Sequence, residues 1–138
     1  MSKLFRSGIS LDKELLDAFD RLIREKNYTN RSEAFRDLIR QELIKKEWHK
    51  GKEIAGAITL IYDHHKRELL NKLISIQHDF QKLIISTQHI HLDHNNCLEI
   101  IVVKGNPRQA QRLADTLKSV KGVKHAGLNM STTGKQIK

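Results

Sequence analysis

The spacing of apolar positions changes character several times along the chain, and each change predicts an element. Residues 5–11, FRSGISL, alternate as a strand does, with Phe5, Ser7, Ile9 and Leu11 on one side and Arg6, Gly8 and Ser10 on the other. DKELLDAFDRLIREK then sets Leu15, Leu16, Phe19, Leu22 and Ile23 at helical spacing, with Asp12 placed to cap the first turn. KNYTN interrupts the pattern with asparagines suited to a tight turn, and Asn30 stands as N-cap with Glu33 three positions on. The second helix carries Ala34, Phe35, Leu38, Ile39 and Leu43 as its apolar stripe. A lone strand ahead of two helices has an unpaired edge and a thin core. The expected remedy is a two-fold partner whose strand pairs antiparallel with this one. The resulting two-stranded ribbon fits the major groove of DNA, and side chains at period two can reach base edges from it.

After the charged stretch KKEWHKGK the texture turns β-branched: AITLIYD predicts a buried strand. HHKRELLNKLISIQHDFQ predicts a helix with Leu69, Leu70, Leu73 and Ile74 inward. LIISTQHIHL and CLEIIVVKG read as strands joined by a DHNN turn. PRQAQRLADTLKSV reads as a helix with Asn106 as cap and Pro107 at its first position, and VKHAGLNMST as a closing strand. The order β-α-β-β-α-β is the split arrangement of ferredoxin-like domains, and one face of its sheet is left without helical cover. The expectation is therefore an α+β chain. A strand-helix-helix domain occupies residues 1–47, a linker 48–53, and a ferredoxin-like domain 54–138.

Composition narrows the function. At 138 residues the chain can bury one ordinary core or two small ones, so oligomerisation is expected. No run approaches the roughly 18 apolar residues of a membrane span, and MSKLFRSGIS lacks a signal peptide's apolar stretch, which predicts a cytoplasmic protein. The net charge of +9 favours a polyanionic partner such as nucleic acid. Residues 1–50 carry 12 Lys+Arg against 9 Asp+Glu and residues 51–138 carry 13 against 7, so charge alone does not locate the contact.

The chemistry concentrates in HIHLDHNNC, residues 89–97, with three histidines and the only cysteine of the chain. His89 and His91 are two apart on a strand, so both imidazoles leave the same face, and Cys97 opens the next strand of the same hairpin. Three such donors make a metal site with one position open. His94 falls in the turn. His78, late in the preceding helix, is the nearest unplaced candidate for the fourth ligand, in the same chain or a neighbour. His49, His64, His65 and His125 are read as non-ligands. Imidazoles with one thiolate suit Zn²⁺ in a tetrahedral site and Cu²⁺ or Ni²⁺ in a planar one, and spacing does not set that angle. Glu99 shares the face of Cys97 and can accept from a ligating imidazole. A zinc hydrolase with Glu99 as general base is the catalytic alternative. No substrate pocket or oxyanion group accompanies it, so the chain is not expected to be an enzyme.

Taken together, NYTNRSEAFRDLIR behind the first strand, the QHDF segment, HIHLDHNNCLEI and VKGVKHAGLNM resemble the NikR family of nickel-responsive transcriptional regulators over nearly the whole chain. The resemblance implies a homotetramer in which two ribbon-helix-helix dimers flank four ACT-like C-terminal domains. It also implies one Ni²⁺ per subunit in a square plane formed by His89, His91 and Cys97 of one subunit and His78 of another. Gln77 and Glu99 match positions that support those ligands.

The same resemblance places Arg6, Gly8 and Ser10 on the groove-reading face of a ribbon bound to a double-stranded DNA operator. Gly8 departs from the polar residue usual there. Asn30, Arg31 and Ser32 match a helix N-terminus that favours a phosphate, which is also an ordinary capping position. Lys66 and Arg67, expected in the loop before the third helix, match a region that contacts DNA. Glu33 and Asp37 match a second, weaker cation site. The implied function is a nickel-dependent regulator, in the first instance a repressor of nickel-uptake genes, with no other protein partner required. The alternatives are a ribbon-helix-helix antitoxin-like interaction module and a regulator answering to Cu, Zn or Co.

Overall fold

The computed structural model describes residues 3–138, which divide into two compact units, one running to Leu43 together with Lys138, the other Ile44–Ile137. In the first unit, residues 3–11 form neither helix nor strand. The strand expected over residues 5–11 is thus absent from the single chain, because an isolated strand has no neighbour to complete its ladder. Leu4 and Phe5 are 85% and 84% exposed there.

Helix α1 (Lys13–Glu25) starts after Asp12, whose backbone is extended as a cap requires but whose side chain makes no capping bond. Its end is set by Asn27 at φ 60°, with Asn27 N donating to Arg24 O and Tyr28 N to Ile23 O. This is the left-handed stop that a short polar side chain tolerates. Helix α2 (Arg31–Lys50) opens with Asn30 Oδ1 accepting from the Glu33 amide at 3.0 Å. It continues as helix through residues 48–50 of the stretch expected as linker. Ile23 and Ala34 are buried and the Phe19 and Phe35 rings pack 4.8 Å apart. Leu15, Leu38, Ile39 and Leu43, expected on the apolar stripes, are exposed, since two helices cannot cover one another on every side.

The second unit holds the sheet. Strands β1 (Ile54–Asp63), β2 (Ile84–His91), β3 (Asn96–Gly105) and β4 (Val123–Met130) pair antiparallel in the order β2-β3-β1-β4, with α3 (Arg67–Asp79) and α4 (Pro107–Lys118) in the two crossovers. Arg67, expected in a loop, is the first residue of α3, with Lys66 at its N-cap. Burial alternates along all of β1 and along β3 as far as Val103. Ile54, Ile58, Leu60, Tyr62, Ile101 and Val103 form the helix-covered core with Leu69, Leu73, Leu113 and Leu117. In α3 the inward row is Leu69, Leu73 and Ile76, while Ile74, expected inward, is exposed, because the buried row follows the i, i+4, i+7 progression from Leu69. Asn106 caps α4 as expected, accepting from the Arg108 and Gln109 amides.

Candidate metal centre and nucleic-acid interface

Register does most of the work at the metal centre. The turn after β2 is closed by Asp93, whose Oδ1 accepts from the Asn95 and Asn96 amides at 2.9 and 2.8 Å. The Asn96 side-chain amide, together with the Asn95 and Asn96 backbone amides, holds the Asp93 carboxyl below the usual carboxylate range. With the turn fixed, His91 stands opposite Cys97 and His89 opposite Glu99 across β2 and β3, while Cys97 stands opposite Tyr62 across β3 and β1. Residues directly paired in a sheet share a face, so both imidazoles, the thiol, Glu99 and Tyr62 project to one side. That side is the helix-covered one, and it buries Cys97, Glu99 and Tyr62. His89 and His91 lie on the edge strand and are exposed.

Glu99 is fully enclosed and fully answered. Tyr62 donates its hydroxyl to Oε1 at 3.1 Å, and Gln77 of α3 donates its amide to Oε2 at 2.9 Å. His89 Nε2 lies 3.7 Å from Glu99 Oε1, and its Nδ1 lies 3.4 Å from the Tyr62 hydroxyl. Burial and the adjacent Glu99 carboxylate push the Tyr62 hydroxyl far above the ordinary phenol range, so it stays protonated and donates. Sequence reasoning found Gln77 and Glu99 but missed Tyr62. The available signal was its parity with Ile58 and Leu60, which aims a hydroxyl into an otherwise apolar face. His64 was also passed over: its ring stacks on His91 with centroids 4.5 Å apart.

Among the described residues no three His, Cys, Asp or Glu side chains converge as a complete cage within one chain. His91 is turned onto His64, and His78, though on α3 as expected, lines a groove with Leu83, Lys104, Gly105 and Gln109. Gln77, the residue before His78, bonds Glu99, but the exposed His78 side chain lines that groove and joins no cluster with His89, His91 and Cys97. The donor chemistry suits a borderline divalent ion, with two imidazoles, one thiol and a buried carboxylate ready to orient an imidazole.

Of the candidate DNA contacts, Arg6, Gly8 and Ser10 lie exposed on the arm that precedes α1. A Cβ added at Gly8 would meet nothing within 4 Å, so packing within the chain does not require glycine there. Asn30 is committed to capping, and Arg31 grips Asp20 with Nε and a terminal nitrogen, both at 2.9 Å. Lys66 and Arg67 are exposed at the start of α3. The two carboxylates expected at a second cation site already have partners: Glu33 pairs with Arg36, and Asp37 accepts from Tyr28 and Gln41.

A two-helix unit behind an N-terminal arm is joined to a split βαββαβ unit with imidazoles and a thiol on one hairpin, the arrangement expected of a metal-responsive regulator with a DNA-binding head. Comparison with known proteins makes this specific. Residues 8–46 match the ribbon-helix-helix protein, copG family, and residues 55–131 match the NikR C-terminal nickel-binding domain. A "Putative nickel-responsive regulator" of Syntrophus aciditrophicus is 63% identical over 97% of this chain and 98% of its own length. One of the same name from Chlorobium limicola is 62% identical over 97% and 100%. An uncharacterized protein from Thermotoga maritima shares the fold at TM-score 0.51 and 14% identity, covering 56% of this chain and 95% of its own. The chain belongs to the NikR family of nickel-responsive regulators, which combine a DNA-binding ribbon-helix-helix domain with a nickel-binding domain.

Proposed function

We propose that this protein is a nickel-dependent repressor of nickel-uptake genes that works in the cytoplasm as a homotetramer. Each Ni²⁺, one per subunit, is held by His89, His91 and Cys97 of one chain and His78 of a neighbour. The ion supplies a crosslink between subunits, and the chain's residues supply its placement: Glu99, fixed by Tyr62 and Gln77, orients His89. Such a ligand set is complete only when the subunits are correctly arranged, so binding reports on assembly and favours the DNA-competent arrangement. The carrying observation is the pairing of His91 with Cys97 and His89 with Glu99, which puts all four on one face. The exposed His78 side chain, which lines a groove and joins no cluster with the other three donors, supports the assignment of the fourth ligand to another chain.

On the DNA side, two arms pair as a ribbon and Arg6, Gly8 and Ser10 face the bases of an operator, Arg6 reading guanine bidentately. The exposed Leu4, Phe5, Ile9, Leu38 and Ile39 support the two-fold partner that this requires. Asn30, Arg31 and Ser32 border a phosphate, and Lys66 and Arg67 add contacts when the metal-bound form docks. A weaker cation at Glu33 and Asp37 would have to displace Arg36 and Tyr28. No helix among the described residues is long and apolar enough to cross a membrane, in keeping with work in the cytoplasm.

Titration with Ni²⁺ tests the site. A thiolate-to-nickel absorption band at one equivalent per chain is expected, absent in Cys97→Ala. Selection from a random duplex pool, with and without Ni²⁺, tests the regulator, and an enriched sequence bound equally well without metal would overturn the reading.

A further inference from the structure

The chain's positive charge is concentrated away from its DNA-reading head. Residues 1–43 hold 9 Lys+Arg against 8 Asp+Glu, whereas residues 44–138 hold 16 against 8. In the first unit several cations are already answered, Lys13 by Asp17, Arg31 by Asp20 and Arg36 by Glu33. In the second, a row of cations on one helix is not. Helix α4 buries Ala110, Leu113 and Leu117 and turns Arg108, Arg112 and Lys118 to solvent, with Lys121 following in the next turn. Among the described residues none of these four side chains makes a hydrogen bond or ion pair. The single acid on that face, Asp115, is bonded by Gln111 at 3.0 Å.

We propose that the outer face of α4 is a second DNA-contacting surface, which grips the phosphate backbone of duplex DNA whatever its sequence. From Arg108 to Lys118 the helix spans about 15 Å, which matches four or five phosphates of one strand at about 3.4 Å of axis each. The surface carries no aromatic side chain to stack on an unpaired base and no apolar face to enter a lipid. Its chemistry is that of a row of point charges facing a polyanion. The proposal rests on the protein being a DNA-binding regulator, but it is independent of the operator and of nickel. It assigns to the C-terminal domain a share of the salt-sensitive DNA affinity beyond what the head supplies.

The full-length protein is titrated onto a random-sequence duplex across a salt series. Each phosphate neutralised contributes about 0.9 to the slope of log affinity on log salt. The combined change Arg108→Gln, Arg112→Gln, Lys118→Gln and Lys121→Gln is expected to flatten the slope by about 2 to 4 and to weaken binding in 50 mM salt by tenfold or more. An intact Ni²⁺–thiolate band reports that the domain remains folded. Asp115→Lys adds a cation to the same face and is expected to steepen the slope by about 1. An unchanged slope in both variants overturns the proposal. So does a loss confined to structured RNA or to anionic phosphatidylserine vesicles. Failure of nickel-dependent operator selection with these slopes intact would count against the regulator reading and leave this surface standing.

Discussion

Tyr62 on the central strand donates its hydroxyl to Glu99 on the neighbouring strand at 3.1 Å, beneath the exposed rings of His89 and His91. The contact fixes a buried carboxylate that is also held by the Gln77 amide and lies 3.7 Å from His89 Nε2. Partners of this kind commonly carry 10- to 100-fold of metal affinity, because they set the orientation of a ligating imidazole. Tyr62→Phe is therefore expected to weaken Ni²⁺ binding by about tenfold. It should cost only about 1 kcal/mol of stability, since Glu99 keeps the Gln77 amide. Competition against a chelator of known affinity, beside urea unfolding of the metal-free protein, separates the two effects.

Gly56 owes its identity to crowding. A Cβ there would stand 2.9 Å from the backbone oxygen of Asn129 and 3.1 Å from the Trp48 ring. Trp48 is buried and anchored by its indole N–H on Ser131 O at 2.8 Å, and a backbone carbonyl inside a paired strand cannot step aside cheaply. Gly56→Ala should destabilise the protein by about 1 to 3 kcal/mol through overpacking. Chemical denaturation measures this, and the metal affinity of the folded fraction should be unchanged.

Much of this was legible in the sequence. The β-branched run AITLIYD, the apolar CLEIIVVKG, the Asn106–Pro107 start of α4 and the DHNN turn set the order of elements, and period two put His89 and His91 on one face with Cys97 on the next strand of the hairpin. The arm at residues 5–11 was legible only as a pattern, because a strand exists through its neighbour and the single chain offers none. Ile74 was misplaced because two adjacent apolar residues, Leu73 and Ile74, fit a helical stripe equally well until the sheet decides which faces it. Tyr62 escaped because a hydroxyl's partner lies on another strand, 37 positions away.

The Arg31–Asp20 pair makes a prediction about acid. The guanidinium holds the Asp20 carboxyl below its ordinary value of 3.8. A carboxylate depressed in the folded state stabilises fully above its unfolded value, and that contribution is lost as pH falls through the lower folded one. The stability difference between the wild type and Asp20→Asn should thus be constant from neutral pH down to about 5 and shrink below 3.8. Because the pair is solvent-exposed, the difference should also fall in high salt. Urea unfolding over a pH series checks both, and a difference that grows toward acid would contradict the assignment.

The proposed split of the nickel site between chains can be read directly by complementation. His78→Ala and Cys97→Ala should each lose the Ni²⁺–thiolate band when assembled alone. If the four donors came from one chain, mixing the two variants would restore nothing, because every chain would lack one donor. If His78 comes from a neighbour, a chain with intact His89, His91 and Cys97 can meet a chain with intact His78 in a mixed assembly. Random reassembly in a symmetric oligomer should then recover about a quarter of the wild-type band. Unfolding the variants together and refolding them before Ni²⁺ is added provides the mixture. Mixing them without unfolding, where subunits do not exchange, is the control. Recovery in the refolded mixture alone is the expected outcome, and a silent mixture would place all four donors within one chain, which the exposed His78 side chain, clustered with none of the other three donors, argues against.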